Sequence, residues 1–442
     1  MAITLTNATL VDPAAERVET GGIRIESEFI AEVGPSVRQC PGDEVLDCHG
    51  AVVLPGMVNG HTHLYSALAA GMPPPPRVPA SFREILELVW WRLDRAHDAE
   101  SIEVSGRIGA LDALHAGTTT LIDHHASPSH ISGSLDDLAR GIDSVGLRSV
   151  LCYETTDRNG AGGAFEGLEE NRRYLEKCAL ARDGAHAALV GAHAAFTMSD
   201  ATLSACAKLA DEYRSGVHIH VAEDPCDDQI CRGRYGAALV DRLARSGITD
   251  AGGPVARESI LAHCTHLSGA DAQKLSSIVG AVAHNPRSNM NNQVGYAPVG
   301  SLCGVQLGTD GIGGDMFSES HAAWYKSRDA RAGLSPRQIV DMLGQAARTA
   351  GRLLGRTLGV LNAGAAADVL ITDYVPATPV AADTIPAHLI FAMGSRHVRD
   401  VLIAGVWAMR GRVAILPNEA GVRRQAARTA QSLWNRMLAL PS

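Results

Sequence analysis

The stretch GVHIHVAED, Gly216–Asp224, is an apolar run with histidine at alternate positions, closed by two carboxylates. On a β-strand, residues two apart share a face, so His218 and His220 point the same way at different depths. Glu223 has the opposite parity. It can join His220 only if the strand stops near Val221 and the chain turns; Asp224-Pro225 favours such a stop, because proline cannot continue a central strand. The fold depends on how many other segments share this design. Seven do: VVLPGMVN from Val52, GTTTLIDHH from Gly117, LRSVLCYE from Leu147, AALVGAHA from Ala187, SILAHC from Ser259, VGAVAHNP from Val279 and GVQLGTD from Gly304.

Most intervals between these runs carry Ala/Leu/Arg-rich helical patterns, as in DATLSACAKLADEYRSG, Asp200–Gly216. Near-continuous apolar strands alternating with helices indicate a parallel sheet, and eight such units match a (β/α)8 TIM-like barrel. An open doubly wound sheet is the competitor. The runs end at or next to His63, His124, Glu154, His193, Glu223, His263, His284 and Asp310. A closed barrel brings all eight ends to one mouth, whereas an open sheet strings them along a line. The class expected is therefore α/β.

Outside this region the texture is different. The first 56 residues and the segment after 362 are rich in β-branched residues and tight turns, with little helical periodicity. The expected organisation is a composite β-sandwich from 1–56 plus 362–420, a catalytic barrel over 57–361 and a C-terminal helix over 421–442. The link after the first run is long. It holds four consecutive prolines, Pro73–Pro76, and then a helix opened by Ser81 with Glu84 as a capping box. Phe82, Ile85, Leu86, Val89 and Leu93 make its apolar stripe, extended by Trp90 and Trp91. Residues 72–95 are expected to pack on the barrel rim, with a flap over the mouth or a subunit contact as the alternatives.

Hydrophobic residues make up 46% of the 442-residue chain and the net charge is −9, which excludes disordered and fibrous classes. No Lys/Arg block stands out, so neither nucleic acid nor an anionic membrane is an expected partner. The N-terminal sequence shows no signal-peptide pattern, and no window approaches the ~20 apolar residues of a membrane helix. The nine scattered cysteines lack a CxxC pair, and a reducing cytoplasm is the expected location.

The strand ends also carry chemistry. In GHTH, His61 and His63 share a face and can hold one ion through their ring nitrogens. His220 lies nearer the strand end than His218, which reads as a hydrogen-bonded barrel histidine. Asp310 in GTDG supplies a carboxylate. Three imidazoles and one carboxylate suit one divalent ion, zinc first and iron as the alternative, with a position left open for water. His263 in LAHC fits a proton-handling role. Tyr65, Tyr153, Glu154 and Asp157 stand near the mouth, and His124 or His125 could line it. His266 reads as the start of a helix.

The segments PGMVNGHTHLYSAL, GTTTLIDHH, HAAFTMS, HIHVAED, LAHCTHLS, HNPRSNM, LGTDGIGGD and GAAADVLITD resemble, in order and over nearly the whole chain, the amidohydrolase superfamily in its cytosine deaminase and triazine hydrolase-like branch. LYSALAAGMPPPP, WWRLDRA and HNPRSNMNNQVGYAPVG resemble SsnA-type aminohydrolases more closely. The resemblance implies that His61, His63, His220 and Asp310 bind the metal. It gives catalysis to Glu223 as proton shuttle, with His263 and Asp310. It places His193, His284, Asn285, Ser288 and Asn289 against the substrate, and the strand-end reading adds His124, His125 and Tyr65 as candidates. Binuclear members use a fourth-strand lysine; ALVGAHAAF has none, so one metal is expected. The implied reaction is hydrolytic deamination of an amino-substituted purine, pterin, pyrimidine or triazine by a metal-activated water. Cyclic-amide ring opening and dechlorination are the alternatives, and a catalytically dead binding homologue is a remote one. A small heterocycle is the expected partner, in a homodimer or larger homo-oligomer.

Overall fold

The computed structural model describes residues 2–250, 253–416 and 418–441. Eight parallel strands enclose the centre: Met57–Thr62, Thr118–His125, Arg148–Tyr153, a fourth in two pieces (His186–Ala188 and Val190–Ala194), Val217–Val221, Ile260–His263, Ala281–His284 and Val305–Leu307. Residues of the second, third, fifth, sixth and seventh are all buried, as both faces of a helix-covered parallel sheet must be. The barrel closes between its last and first strands, where Thr62 bridges Asp310 and the Thr309 and Asp310 amides donate to the His61 carbonyl. Glycines permit this close approach. A Cβ on Gly60 would lie 2.7 Å from the Leu307 carbonyl oxygen, and one on Gly308 would lie 2.7 Å from the His61 Cβ. The chain is thus an α/β protein with a TIM barrel.

The terminal segments form a nine-stranded mixed sheet. Its central members are Ile3–Asp12, which pairs parallel with Val52–Pro55, and Val369–Thr372, which pairs antiparallel with Val52–Pro55. The strands expected as a sandwich are therefore joined in one hydrogen-bonded sheet. The run VVLPGMVN, expected as one barrel strand, is two: Val52–Pro55 belongs to this sheet and the barrel starts at Met57. A buried ion pair ties the two units, with Arg148 of the third barrel strand 2.9 Å from Asp368. Helix Glu419–Ala439 packs on Ala99–His115 beside the mouth.

The segment Phe82–Asp94 is helical throughout, with a wider π turn over Leu86–Trp90. Ser81 accepts from the Glu84 amide at 3.3 Å, but the Glu84 carboxylate reaches the Ala80 amide instead of that of Ser81, so the expected capping box is only half formed. Phe82 and Leu86 pack with Phe196 and Val294, which lays this helix across the barrel mouth.

Candidate metal centre

The Nε2 atoms of His61, His63 and His220 converge on the Asp310 carboxylate. His63 Nε2 lies 2.9 Å and His61 Nε2 3.5 Å from Asp310 Oδ1, and His63 and His220 are 3.1 Å apart through their Nε2 atoms. Each ring is held from behind. His63 Nδ1 donates to the His124 carbonyl at 2.6 Å and His220 Nδ1 to the His193 carbonyl at 2.8 Å. His61 Nδ1 meets His218 Nε2 at 2.8 Å, so His218 serves as the support of a converging ring. Such contacts fix the tautomer and turn the other nitrogen inward. His61 Nε2 is buried without a hydrogen-bond partner. Burial pushes His61 down to about 3 and His220 well below its usual value, so both offer lone pairs. Against burial, which alone would lower it, the Asp310 carboxylate pushes His63 up to about 9: this corner favours a positive charge. An orphaned imidazole nitrogen, two more inward nitrogens and a carboxylate fit a divalent ion.

The strand geometry explains how Glu223 joins the group. The fifth strand stops at Val221, and Ala222 takes a left-handed φ of +50°. That turn brings the Glu223 carboxylate within 3.5 Å of His263 Nε2. Asp224 then caps helix Pro225–Tyr235 by accepting from the Cys226 amide. His263 at +70° and Asp310 at +53° also occupy this sparsely populated region, which costs on the order of 1–3 kcal/mol per residue and is tolerated where surroundings over-determine it. Burial pushes Glu223 up to about 7, partly offset by His263. Asn292 Nδ2 donates to Glu223 Oε1 at 3.3 Å, and His263 Nδ1 donates to Asn289 Oδ1 at 2.8 Å.

Of the other expected site residues, Tyr65, His193 and Ser288 line the mouth cavity. Ser288 also donates to Asp310. His124, His125, Asn285 and Asn289 are at most 1% exposed and lie behind that wall. Asn289 orients His263, and His125 bonds Ser127 at 2.9 Å. Tyr153 is in the core, and Asp157 accepts from the Ser199 amide and the Thr202 hydroxyl, an anchoring role. His266, placed at a helix start, precedes helix Gly269–Ser276 and bonds the Val294 carbonyl at 2.6 Å. Glu154 lines the cavity, with Arg158 at 3.2 Å; Arg158 also holds Asp94 at 2.8 Å and stacks 4.5 Å over Trp91. Asn292 and Asp94 were not among the residues read from the sequence, and Trp91 was read only as part of an apolar stripe. Asn292 lay in a polar segment without periodicity, and Asp94 and Trp91 on a helix whose docking the sequence left open.

The amidohydrolase family profile matches residues 52–408. A 5′-deoxyadenosine deaminase of Methanosarcina mazei is 28% identical over 438 residues, covering 97% of this chain and 96% of the relative. A 5-methylthioadenosine/S-adenosylhomocysteine deaminase of Desulforudis audaxviator is 29% identical, covering 98% and 99%. Among solved structures, a zinc-bound adenosine deaminase from Xanthomonas campestris superposes with a TM-score of 0.82 at 22% identity over 99% of both chains. Atrazine chlorohydrolase TrzN from Arthrobacter aurescens, with zinc, gives 0.80 at 22% over 98% of this chain and 100% of its own. These structures share the fold, and the profile match over most of the length decides the family: this chain belongs to the amidohydrolase family.

Proposed function

We propose that this protein is a metal-dependent aminohydrolase that releases ammonia from an amino-substituted N-heterocycle of purine, pterin, pyrimidine or triazine type. The observation that carries the reading is the convergence of His61, His63, His220 and Asp310 with the Glu223–His263 pair at the mouth cavity. The deaminase names of the full-length relatives support it. His61, His63, His220 and Asp310 would hold one ion, and zinc is proposed because similar folds carry it. A divalent ion in such a set supplies Lewis acidity and acidifies water at neutral pH.

The chain's own residues supply the rest. Glu223, poised near neutrality, takes a proton from the attacking water and delivers it to the ring nitrogen beside the amino-bearing carbon. His263, fixed by Asn289, turns its Nε2 toward the oxygen that forms the new C–O bond. A second proton leaves the water oxygen for the amino group. The C–N bond breaks, and water and the amine become a ring carbonyl and ammonia. Trp90, Trp91 and Leu86 cover the cavity and exclude bulk water. From its motifs we read the chain as an SsnA-type aminohydrolase, and we assign it to a reducing cytoplasm, as a homodimer or larger assembly.

The test is metal analysis of the purified protein with an ammonia-release screen of amino-heterocycles. One divalent ion per chain and ammonia from at least one compound are expected. Ring-opened product or chloride without ammonia would favour the other hydrolytic chemistries, and a protein that holds no metal would sink the reading.

A further inference from the structure

The wall of the cavity formed by the third and fourth strands is an acceptor-rich corner. His193 Nδ1 meets Thr197 Oγ1 at 2.6 Å, and that hydroxyl spends its only hydrogen on the Ala194 carbonyl at 3.0 Å. The ring must therefore donate from Nδ1, which leaves Nε2 as an acceptor 3.8 Å from Glu154 Oε1. The same reasoning applies to His124. Its Nε2 faces the Ala192 and His218 carbonyls, both at 3.1 Å, and must donate. Its Nδ1 is buried without a hydrogen-bond partner, 3.4 Å from Glu154 Oε2. The His193 lone pair and the Nδ1 edge of His124 thus face one buried carboxylate. Among the described residues Arg158 is the only Arg or Lys hydrogen-bonded to it, and it is shared with Asp94. One cation for two carboxylates leaves this corner short of donors, and buried acceptors without donors are costly.

We infer that Glu154 and His193 form a subsite for a ring N–H next to the amino-bearing carbon, so the substrate is a 2-aminolactam-type free base. This rests on the aminohydrolase reading above. Position supports it. The Glu154 carboxylate lies within 4.8 Å of ligand atoms of both His63 and His220 and so addresses atoms beside the reacting carbon, not a remote edge. Glu223 and His263 stand on the side of the fifth and sixth strands, and Glu223 needs a bare ring nitrogen as proton acceptor. A carbon flanked by a bare nitrogen on one side and an N–H on the other is the amino-bearing carbon of a cyclic acylguanidine. In such a ring a carbonyl follows the N–H. Trp91 packs edge-on to His193 at 5.9 Å between ring centroids and has a buried indole N–H without an acceptor, which suits that oxygen. An adenine-type amino carbon is flanked by a bare nitrogen and a ring carbon and leaves Glu154 unmatched.

Bases of matched size make the test. The purified metal-loaded enzyme is assayed for ammonia release from isocytosine and guanine, which carry the N–H beside the amino carbon, and from cytosine and adenine, which do not. The expected kcat/KM for the better of the first pair exceeds that for either of the second by about 10²-fold or more, the scale set by leaving buried polar groups unpaired. Glu154→Gln should shrink that preference below about tenfold, chiefly through KM, with metal content unchanged. The wild-type comparison stands whether or not the variant folds. Cytosine turned over as well as isocytosine, or adenine as well as guanine, overturns the inference and leaves the aminohydrolase reading intact. Two ions per chain, the second lost in Glu154→Gln, also overturn it, because the corner would then be a cation site. No ammonia from any amino-heterocycle overturns the aminohydrolase reading and this inference with it.

Discussion

Glu223 shows how much depends on one backbone angle. Its parity points it away from His220, and the left-handed Ala222 returns it to the mouth. Glu223→Gln keeps the shape and the contact with Asn292 but cannot exchange a proton. Turnover should fall by about 10²–10⁴-fold while metal content and the thermal midpoint hold; a variant within tenfold of wild type would place proton handling elsewhere. His61→Ala should do the reverse of Glu223→Gln at the metal. It removes an inward nitrogen and its His218 support, so bound metal falls in elemental analysis and the metal-dependent rise in melting midpoint shrinks. Strand parity brings His61 and His63 to one face from sequence alone, because the period of two is fixed by the pleat. Nothing in the sequence tells which nitrogen of each ring turns inward, since that depends on carbonyls of His124 and His193 supplied by other strands. For the same reason His124 and Asn289 read as wall residues and lie behind the wall.

Among elements, the seam between the eighth and first strands is the most demanding. It carries His61 and Asp310 on neighbouring backbones, and Gly308 is what lets them approach. A Cβ there would meet Asn285 Oδ1 at 2.5 Å and the His61 backbone nitrogen at 2.9 Å, so Gly308→Ala must displace a metal-centre strand. We expect a loss of about 1–3 kcal/mol from overpacking, together with weaker metal retention, read by denaturant titration and elemental analysis. A stable variant with normal metal content would show that the seam can yield. The barrel strands are legible as apolar runs because both faces are buried. The break at Gly56 is not: Val52–Pro55 and Met57–Val58 are equally apolar, and pairing with Ile3–Asp12 and Val369–Thr372 is what distinguishes them. The helix Phe82–Asp94 is legible from its stripe, whereas its docking through Asp94 and Arg158, 64 residues apart, is a tertiary event that no local pattern encodes.

At the scale of the molecule, charge pairs at the far end of the barrel join distant segments and make stability depend on pH. His186 lies between Asp143 at 2.8 Å and Asp183 at 2.7 Å, and the Asp143 hydrogen bond, against burial, pushes it up to about 9. Because the folded value exceeds the unfolded 6.5, its stabilisation is complete below about pH 6.5 and is lost as pH rises through 9. Partial exposure limits this to on the order of 1 kcal/mol, and His186→Gln should flatten the stability profile between those values. The Arg148–Asp368 pair is different in kind. Arg148 Nε and Nη2 lie 2.9 and 3.2 Å from the two Asp368 oxygens, its Nη1 donates to the Gly184 carbonyl at 2.6 Å, and the Ala404 amide donates to Asp368 at 2.8 Å. Both side chains are at most 3% exposed. Asp368→Ala therefore strands a buried guanidinium and removes the acceptor that holds the chain at Ala404, and should cost about 3–5 kcal/mol. The double variant Arg148→Met, Asp368→Leu removes both charges and should recover most of that loss, because a buried pair is worth little against well-packed apolar groups. Denaturant midpoints of the two variants measure this directly. If the double variant is as unstable as Asp368→Ala, the contacts to Gly184 and Ala404, and not charge compensation, join the terminal sheet to the barrel.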